Sequence, residues 1–355
     1  MLRPPTRSRA PATVTFVDDV VPLREEWERL ATAGGNVFGT WEWNDLWWRH
    51  YGRDRTLRVA VVGEEDVTAI VPLFVWSKRP LRILRLIGHG HGDRLGPVCG
   101  DGAEDALLLA LGAEPHDVFV GDWVGGDRQW ARVLGGRVLR RTGYPILSLP
   151  DSWDAFLAAQ SQRFRKSARN YRNRLERKHE VTYRHADADS LDRDLDHAFR
   201  LHRARFGEHT QCNYCGEHEP FQRGFAALAL ERGWLRLLFL EIDGQPVSFE
   251  HGFLFQDAYF AYQAGRDLAQ DRQSVGFVLE LETIRRALEA GATEYRFLGG
   301  EENYKYRFPT EDPRLETVAV PGTRRGRLAV AALAAAWRVR IGEAVVRRIG
   351  SARPS

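Results

Sequence analysis

The sequence predicts a mixed α/β protein of two domains, and three observations carry that expectation. Its 355 residues suit two domains of ordinary size. Hydrophobic residues make up 43% of the chain, enough for each domain to bury a core. The second half also contains three strand-like runs joined by tight-turn signals at Asp243-Gly244 and Gln256-Asp257, which read as an antiparallel meander.

In the first half, ATVTFVD (12–18) alternates as a strand and PLREEWERLATAGG (22–35) reads as a short helix ended by glycines. TWEWNDLWWRHYG (40–52) reads as a helix with Thr40 placed as its cap. LRVAVVGE, VTAIVPLFVWS, RILRLIG and DVFVGDW follow as strands, with GAEDALLLALGA as a helix before the last. The turn-rich GYPILSLPDS (143–152) marks the expected domain boundary. One long helix is predicted from about 152 to 178, with an apolar stripe of Leu157, Phe164, Ala168, Tyr171 and Leu175. Further helices are expected at about 190–207 and 220–232, ahead of the meander. A helix at 275–290 then stops at Gly291 and hands over to the strand TEYRFLG. The domains are therefore expected at 1–150 and 151–322, with a basic amphipathic helix over 323–355.

The balance of 51 basic and 48 acidic residues leaves a formal charge of +3, too small for a general nucleic-acid coat. Between Arg163 and Lys178 the charge is local: eight basic residues against one acid. A solvated helix face explains such a run, and so does a surface for tRNA or another polyanion. The first sixteen residues lack the apolar stretch of a signal peptide, and no run reaches the ~20 apolar residues that span a bilayer, so a cytoplasmic protein without transmembrane segments is expected. Three cysteines are too few for a disulfide framework. His209, Cys212, Cys215 and His218 recur every three residues and are zinc-ligand types, but four ligands within ten residues is compressed, so no metal is expected there.

The loop DLAQDRQSVGFV lies between the last strand of the meander and the next helix. A helix start offers unpaired N–H groups and the positive end of the helix dipole. Arg272, Gln273, Ser274, Val275, Gly276 and Phe277 are therefore the expected phosphate-binding segment, with Gly276 where a side chain would obstruct an approaching pyrophosphate. Glu250, in the apolar strand VSFEHGF, is the candidate general base, because burial raises a carboxyl pKa; a structural ion pair would also account for it. His251 should point to the opposite face. FLGGEENYKYRF (297–308) crowds Tyr304 and Lys305 against two glycines. Tyr262, Gln263, Trp43 and Trp47 are candidate substrate-lining residues, the tryptophans also reading as core.

These stretches resemble the GNAT acyltransferase superfamily, whose Gln/Arg-x-x-Gly-x-Gly/Ala signature opens a helix after the fourth strand; Val278 departs from its last position. SQRFRKSARNYRNRLERK, DGQPVSFEHGF and SVGFVLELETIRRALEAGATEYRFLGGEENYKYRF are similar to the FemAB-related, CelD-like branch. The resemblance implies two tandem GNAT-like domains, each a central, mostly antiparallel mixed sheet flanked by helices, the second with the better-preserved site. It further implies an N-acyltransferase that takes acetyl-CoA or another acyl-CoA as co-substrate and acylates an amine of a small-molecule, sugar or cell-envelope precursor. Tyr304 would then protonate the leaving thiolate, and Lys305 would hold an anionic acceptor or the developing oxyanion. Two alternatives stand beside this reading: an aminoacyl-tRNA-dependent transferase acting on a peptidoglycan precursor, and a non-catalytic binding protein.

Overall fold

The structure is a computed structural model that describes residues 13–206, 212, 214–308 and 310–338. It divides into two compact units, residues 1–141 with 316–355 and residues 142–315.

In the first unit, β1 (Val14–Val17) leads to α1 (Arg24–Gly34), α2 (Trp41–Tyr51), β2 (Thr56–Leu57), β3 (Val59–Gly63), β4 (Val67–Val71), β5 (Leu73–Lys78) and β6 (Leu81–Leu86). After these come α3 (Ala103–Ala113), β7 (Val118–Gly125), α4 (Trp130–Val133) and β8 (Arg137–Thr142). Thr40 caps α2 as expected, its hydroxyl accepting from the Trp43 N–H at 3.4 Å. The single strand expected over VTAIVPLFVWS is two strands in different sheets, β4 in the order β1-β3-β4 and β5 in the order β2-β5-β6-β7-β15-β8. Pro72, which has no N–H to give to a ladder, sits at the break.

In the second unit, β9 (Ile146–Ser148) precedes α5 (Trp153–Ala159), α6 (Gln162–Glu176), β10 (Val181–His185), α7 (Leu191–Phe206) and α8 (Glu219–Glu231). The meander is β11 (Leu235–Ile242), β12 (Gln245–Phe255) and β13 (Ala258–Arg266), followed by α9 (Val275–Glu289) and β14 (Glu294–Arg296). The sheet runs β10-β11-β12-β13-β14-β9, antiparallel throughout except for the β13–β14 pair.

Two boundaries differ from expectation. The long helix at 152–178 is two helices, because Gln160 is extended and Ser161 starts a new helix, its hydroxyl accepting from the Phe164 N–H at 3.2 Å. The chain also returns to the first unit at residue 316. There β15 (Leu315–Pro321) inserts between β7 and β8, and α10 (Arg324–Arg338) buries Val330 against Ile83, Val118 and Val120. The described part of the basic C-terminal helix therefore belongs to the first unit, and residues 339–355 lie outside the described residues.

The second sheet has two distinct faces. Leu238 and Leu240 pack with Val275, Val278 and Leu279 of α9 and with Leu175 of α6. Phe249, His251 and Phe253 point the other way, toward Tyr214 and Phe225 on the α7–α8 side. Helix α7 approaches β13 most tightly at Gly265, where a Cβ would lie 2.7 Å from the His202 backbone nitrogen and 2.8 Å from the Leu201 carbonyl carbon. Backbone cannot yield as a flexible side chain does. Gly265→Val is therefore expected to destabilise the protein by about 1–3 kcal/mol, read as a lowered midpoint of denaturant unfolding; an unchanged midpoint would mean that this contact is loose.

Candidate active site

The site is built on the way β13 and β14 part. The parallel pair matches only Ala258 with Glu294, Tyr259 with Tyr295 and Phe260 with Arg296. Beyond that, the pairing of β12 with β13 slips between His251 and Gly252, whose partners are Gln263 and Ala261, so Tyr262 is an extra residue. Such a bulge bends its strand and increases the local twist. On the other side the chain leaves β14 through Leu298 at φ 60° and Gly300 at φ 143°.

Lys305 holds that departing segment. Its ammonium, 4% exposed, donates to the Leu298 carbonyl at 3.2 Å and the Gly299 carbonyl at 2.9 Å, and pairs with Glu302 at 3.1 Å. A Cβ on Gly300 would lie 2.6 Å from the same ammonium. Glycine is needed here both for its backbone angle and for the space the lysine occupies.

Glu250 lies on β12, facing α9 and 6% exposed. Its carboxylate accepts from the Tyr295 hydroxyl. Burial drives its pKa up to about 7, against the opposing pull of the Tyr295, Thr283 and Tyr259 hydroxyls and of Arg205. Glu280, buried on α9, is raised well above the ordinary carboxylate range by burial and by the Glu250 charge. Both carboxyls are therefore raised by the apolar layer they share, and Glu250 titrates near neutral pH. The Tyr304 phenol is also pushed upward, by burial first and by Glu280 next, so it remains a proton donor. Arg205 reaches this cluster from α7, with its guanidinium 5.3 Å from the centre of the Tyr304 ring and one N–H 3.5 Å from the Ala264 carbonyl. Tyr259 stacks on Tyr295 at 4.8 Å, and its buried hydroxyl faces the same Glu250 carboxylate. A cavity of about 280 Å³ lined by His185, Arg236, Tyr259, Thr283 and Arg286 adjoins these hydroxyls.

At the start of α9, Ser274 is left-handed at φ 59° and its side chain makes no capping bond. A Cβ on Gly276 would meet only Arg266 Cδ, at 3.4 Å, so the protein itself leaves this position open. Basic groups surround it: Arg174 of α6 donates to the Arg272 carbonyl at 2.5 Å, and Arg272 itself is exposed. These features fit a phosphate-bearing donor, since free helix N–H groups, an open glycine and cations converge there.

Residues 162–306 match the family described as "Acetyltransferase (GNAT) domain". That match falls within the second unit. Among solved structures, FemX shares the fold at TM-score 0.58 and 12% identity, with 82% of this chain and 95% of that one covered. A conserved protein of unknown function from Bacteroides thetaiotaomicron aligns at TM-score 0.57 and 15% identity over 87% of this chain and all of that one (100%). The C-terminal domain of an Agrobacterium fabrum protein assigned as a lysylphosphatidylglycerol synthetase aligns at 0.52 and 14%, covering 87% and 96%. No curated protein matches the chain. Each unit carries a six-stranded mixed sheet with flanking helices, the first unit adding a three-stranded sheet, and the fold is shared with FemX. Among the described residues, no helix is long and apolar enough to cross a membrane.

Within the second unit the structure brings the buried Glu250 and the half-buried Tyr304 into one cluster but spends the Lys305 ammonium on the loop's own acceptors. Val275 is core, and Phe277 packs edge-on against Phe164 and Tyr171, so in the 272–277 segment the exposed and half-buried Arg272, Gln273, Ser274 and Gly276 are the groups open to a ligand. Gln273 is engaged by Gln270 at 2.7 Å and His179 at 3.4 Å. Tyr262 and Gln263 are on the face opposite Glu250: Tyr262 accepts from Gln222 at 2.9 Å, and Gln263 meets His202 at 3.2 Å. Because the bulge turns both toward α7, the expectation that they line the Glu250 site is corrected. Trp43 and Trp47, 0% and 1% exposed, pack in the core of the first unit, which corrects their substrate-lining reading. His218 faces Glu217 rather than the cysteines, and His209 lies outside the described residues. Arg205, Glu280, Tyr259, Tyr295 and Thr283 belong to the cluster and were missed. Glu280 carried a usable signal, an acid flanked by leucines in the apolar VGFVLEL run at the start of α9.

The Glu250 shift makes stability depend on pH. Folding raises its pKa from 4.5 to about 7, so the folded protein keeps a proton that the unfolded chain gives up. This contribution is full below about 4.5, is lost as pH rises toward about 7 and is level above it, a span worth roughly 3 kcal/mol. Glu250→Gln cannot ionise, so its stability relative to wild type is expected to improve between about pH 5 and pH 8 in thermal unfolding. A constant difference would place Glu250 in the ordinary carboxylate range.

Proposed function

We propose that the chain is an acyl-CoA-dependent N-acyltransferase that acylates an amine of a small-molecule, sugar or cell-envelope precursor by direct attack, without an acyl-enzyme. The observation that carries this reading is the placement of a neutral-range carboxyl, Glu250, with a protonated phenol, Tyr304, beside the parting of β13 and β14, in the GNAT domain whose α9 start suits a phosphate. A bound acyl thioester supplies an activated acyl carbon, and its transfer forms an amide and releases a thiol.

The chain's own groups have distinct tasks. Glu250 takes the proton that the acceptor amine loses as its C–N bond forms, directly or through a water. Tyr304 gives a proton to the departing sulfur as the C–S bond breaks, and regains one from solvent. Arg205, stacked on Tyr304, orients the phenol and adds positive charge. Lys305 is a positioning residue, fixing the 298–302 carbonyls that shape the opening. Ser274, Gly276 and the free N–H groups of the first turn of α9 would hold the diphosphate, with Arg272 and Arg174 beside it.

A second reading rests on α6. Arg163, Lys166, Arg169 and Lys178 are exposed and make no ion pair with a described residue, whereas Arg172 is paired with Glu176. Such free cations would suit an aminoacyl-tRNA donor.

Isothermal titration with acetyl-CoA and a longer acyl-CoA separates the two. Wild type is expected to bind an acyl-CoA in the micromolar range and Gly276→Trp to lose it. Gly276→Ala should fold at least as well as wild type, alanine being favoured over glycine in a helix by up to about 1 kcal/mol. Wild type that binds neither acyl-CoA but binds aminoacyl-tRNA, through Arg163 and Lys166, would replace this reading by the second. Once an acceptor is found, kcat/KM should rise with pH to a plateau above about 7. Glu250→Gln should lower it by about 10²-fold or more; a variant with wild-type activity would remove Glu250 from the chemistry.

A further inference from the structure

The carboxyl cluster leaves one group of chemistry-bearing side chains unused, on the opposite face of the second sheet. We propose that His202, Cys212 and Cys215 form a binding site for a soft divalent metal ion, zinc by ligand type. The imidazole nitrogen and the two sulfurs all lie within 4.8 Å of one another.

The imidazole is presented as a metal ligand would be. His202 Nε2 lies 3.2 Å from the side-chain oxygen of Gln263, which can only accept, so that nitrogen carries the proton. Nδ1 therefore turns its lone pair toward Cys212 Sγ, 3.5 Å away. A ligating histidine fixed through its other ring nitrogen is the usual outer-sphere support of a zinc site. A disulfide alone has no use for it.

The three donors are held in place by contacts that do not involve sulfur. His202 lies on α7 where that helix meets β13 most closely, over Gly265. Between the cysteines, Tyr214 is fully buried, its ring 4.9 Å from Phe199 and its hydroxyl bonded to His251 Nδ1 at 2.9 Å. That anchor pins the connection between α7 and α8, so Cys212 and Cys215 emerge on either side of it toward His202. Two thiolates and an imidazole leave a fourth tetrahedral position, open to water. Arg205 is one turn further along α7, so the ion would fix the connection next to the Tyr304 partner.

Here the two sulfurs are joined to each other, and the metal form requires their reduction. A thiol or phosphine reductant supplies two electrons, two protons complete the thiols, and the binding ion displaces those two protons to leave two metal–sulfur bonds. The bound ion and the disulfide are thus mutually exclusive states of one site.

The test uses the full chain reduced with a phosphine and titrated with cobalt(II), followed by zinc. One equivalent of cobalt should bind with the thiolate-to-metal charge-transfer absorption, zinc should bleach it, and Cys212 and Cys215 should become unreactive toward a thiol reagent, the buried Cys99 being replaced by alanine to leave those two thiols alone. Cys215→Ser should abolish the band. His202→Gln should weaken zinc binding at least about tenfold, with the circular dichroism of its metal-free form matching wild type. Reduced protein with no charge-transfer band, in which Cys212 and Cys215 stay reactive in the presence of metal, would overturn the proposal and leave a redox disulfide. Wild-type zinc affinity in His202→Gln would overturn the triad.

Discussion

Two neighbouring parallel strands that pair over three residues and then part are the constraint on which the second unit depends. A parallel pair in mid-sheet would normally continue, because each abandoned ladder position leaves N–H and C=O groups to be satisfied elsewhere. Here both sides of the divergence have a local cause. The extra residue in β13 twists that strand, and the segment after β14 is turned by a left-handed Leu298 and an opened Gly300. The exposed carbonyls of that segment find the Lys305 ammonium. Without those acceptors and Glu302 a buried lysine would be costly.

The opening in turn accounts for the electrostatics beneath it. Glu250 and Glu280 are carboxyls placed in an apolar layer between sheet and helix, where a second negative charge is worse than a first. Sharing the region with phenols rather than with paired arginines leaves Glu250 poised near neutrality instead of locked as an ion. Contrast Glu282, two residues after Glu280, which is pulled below its ordinary value by hydrogen bonds and charge from Arg285 and Arg286 despite its burial. The structural acid of α9 and the candidate base of β12 are thus distinguished by what faces them.

Much of this was legible in the sequence because it is periodic. The meander, its two turns, the α9 stripe and its handover to β14 all follow from alternation, helical spacing and turn residues, and the α9 start is marked by Gly276. His251 opposite Glu250 follows from strand alternation alone. What stayed hidden depends on departures from period. A one-residue bulge, invisible in AYFAYQAG, sent Tyr262 and Gln263 to the α7 face. Pro72 and Ser161 divided elements whose apolar patterns run straight through them. Arg205 sits in an ordinary helical pattern, and nothing local tells that it crosses toward Tyr304. Residues 316–322 read as the end of the second domain and 323–338 as part of a separate helix, because pairing with a sheet built some two hundred residues earlier leaves no mark on their own pattern.

The central claim is that the fold keeps one carboxyl, Glu250, titrating at neutrality beside the opening. Infrared difference titration tests it most directly, by following a protonated-carboxyl band in the full chain and in Glu250→Gln. The account predicts a band that disappears with a midpoint near 7 in wild type and is absent from the variant. A wild-type spectrum in which that residue's band is already gone at mildly acid pH, or a neutral-range band that survives in the variant, would contradict it.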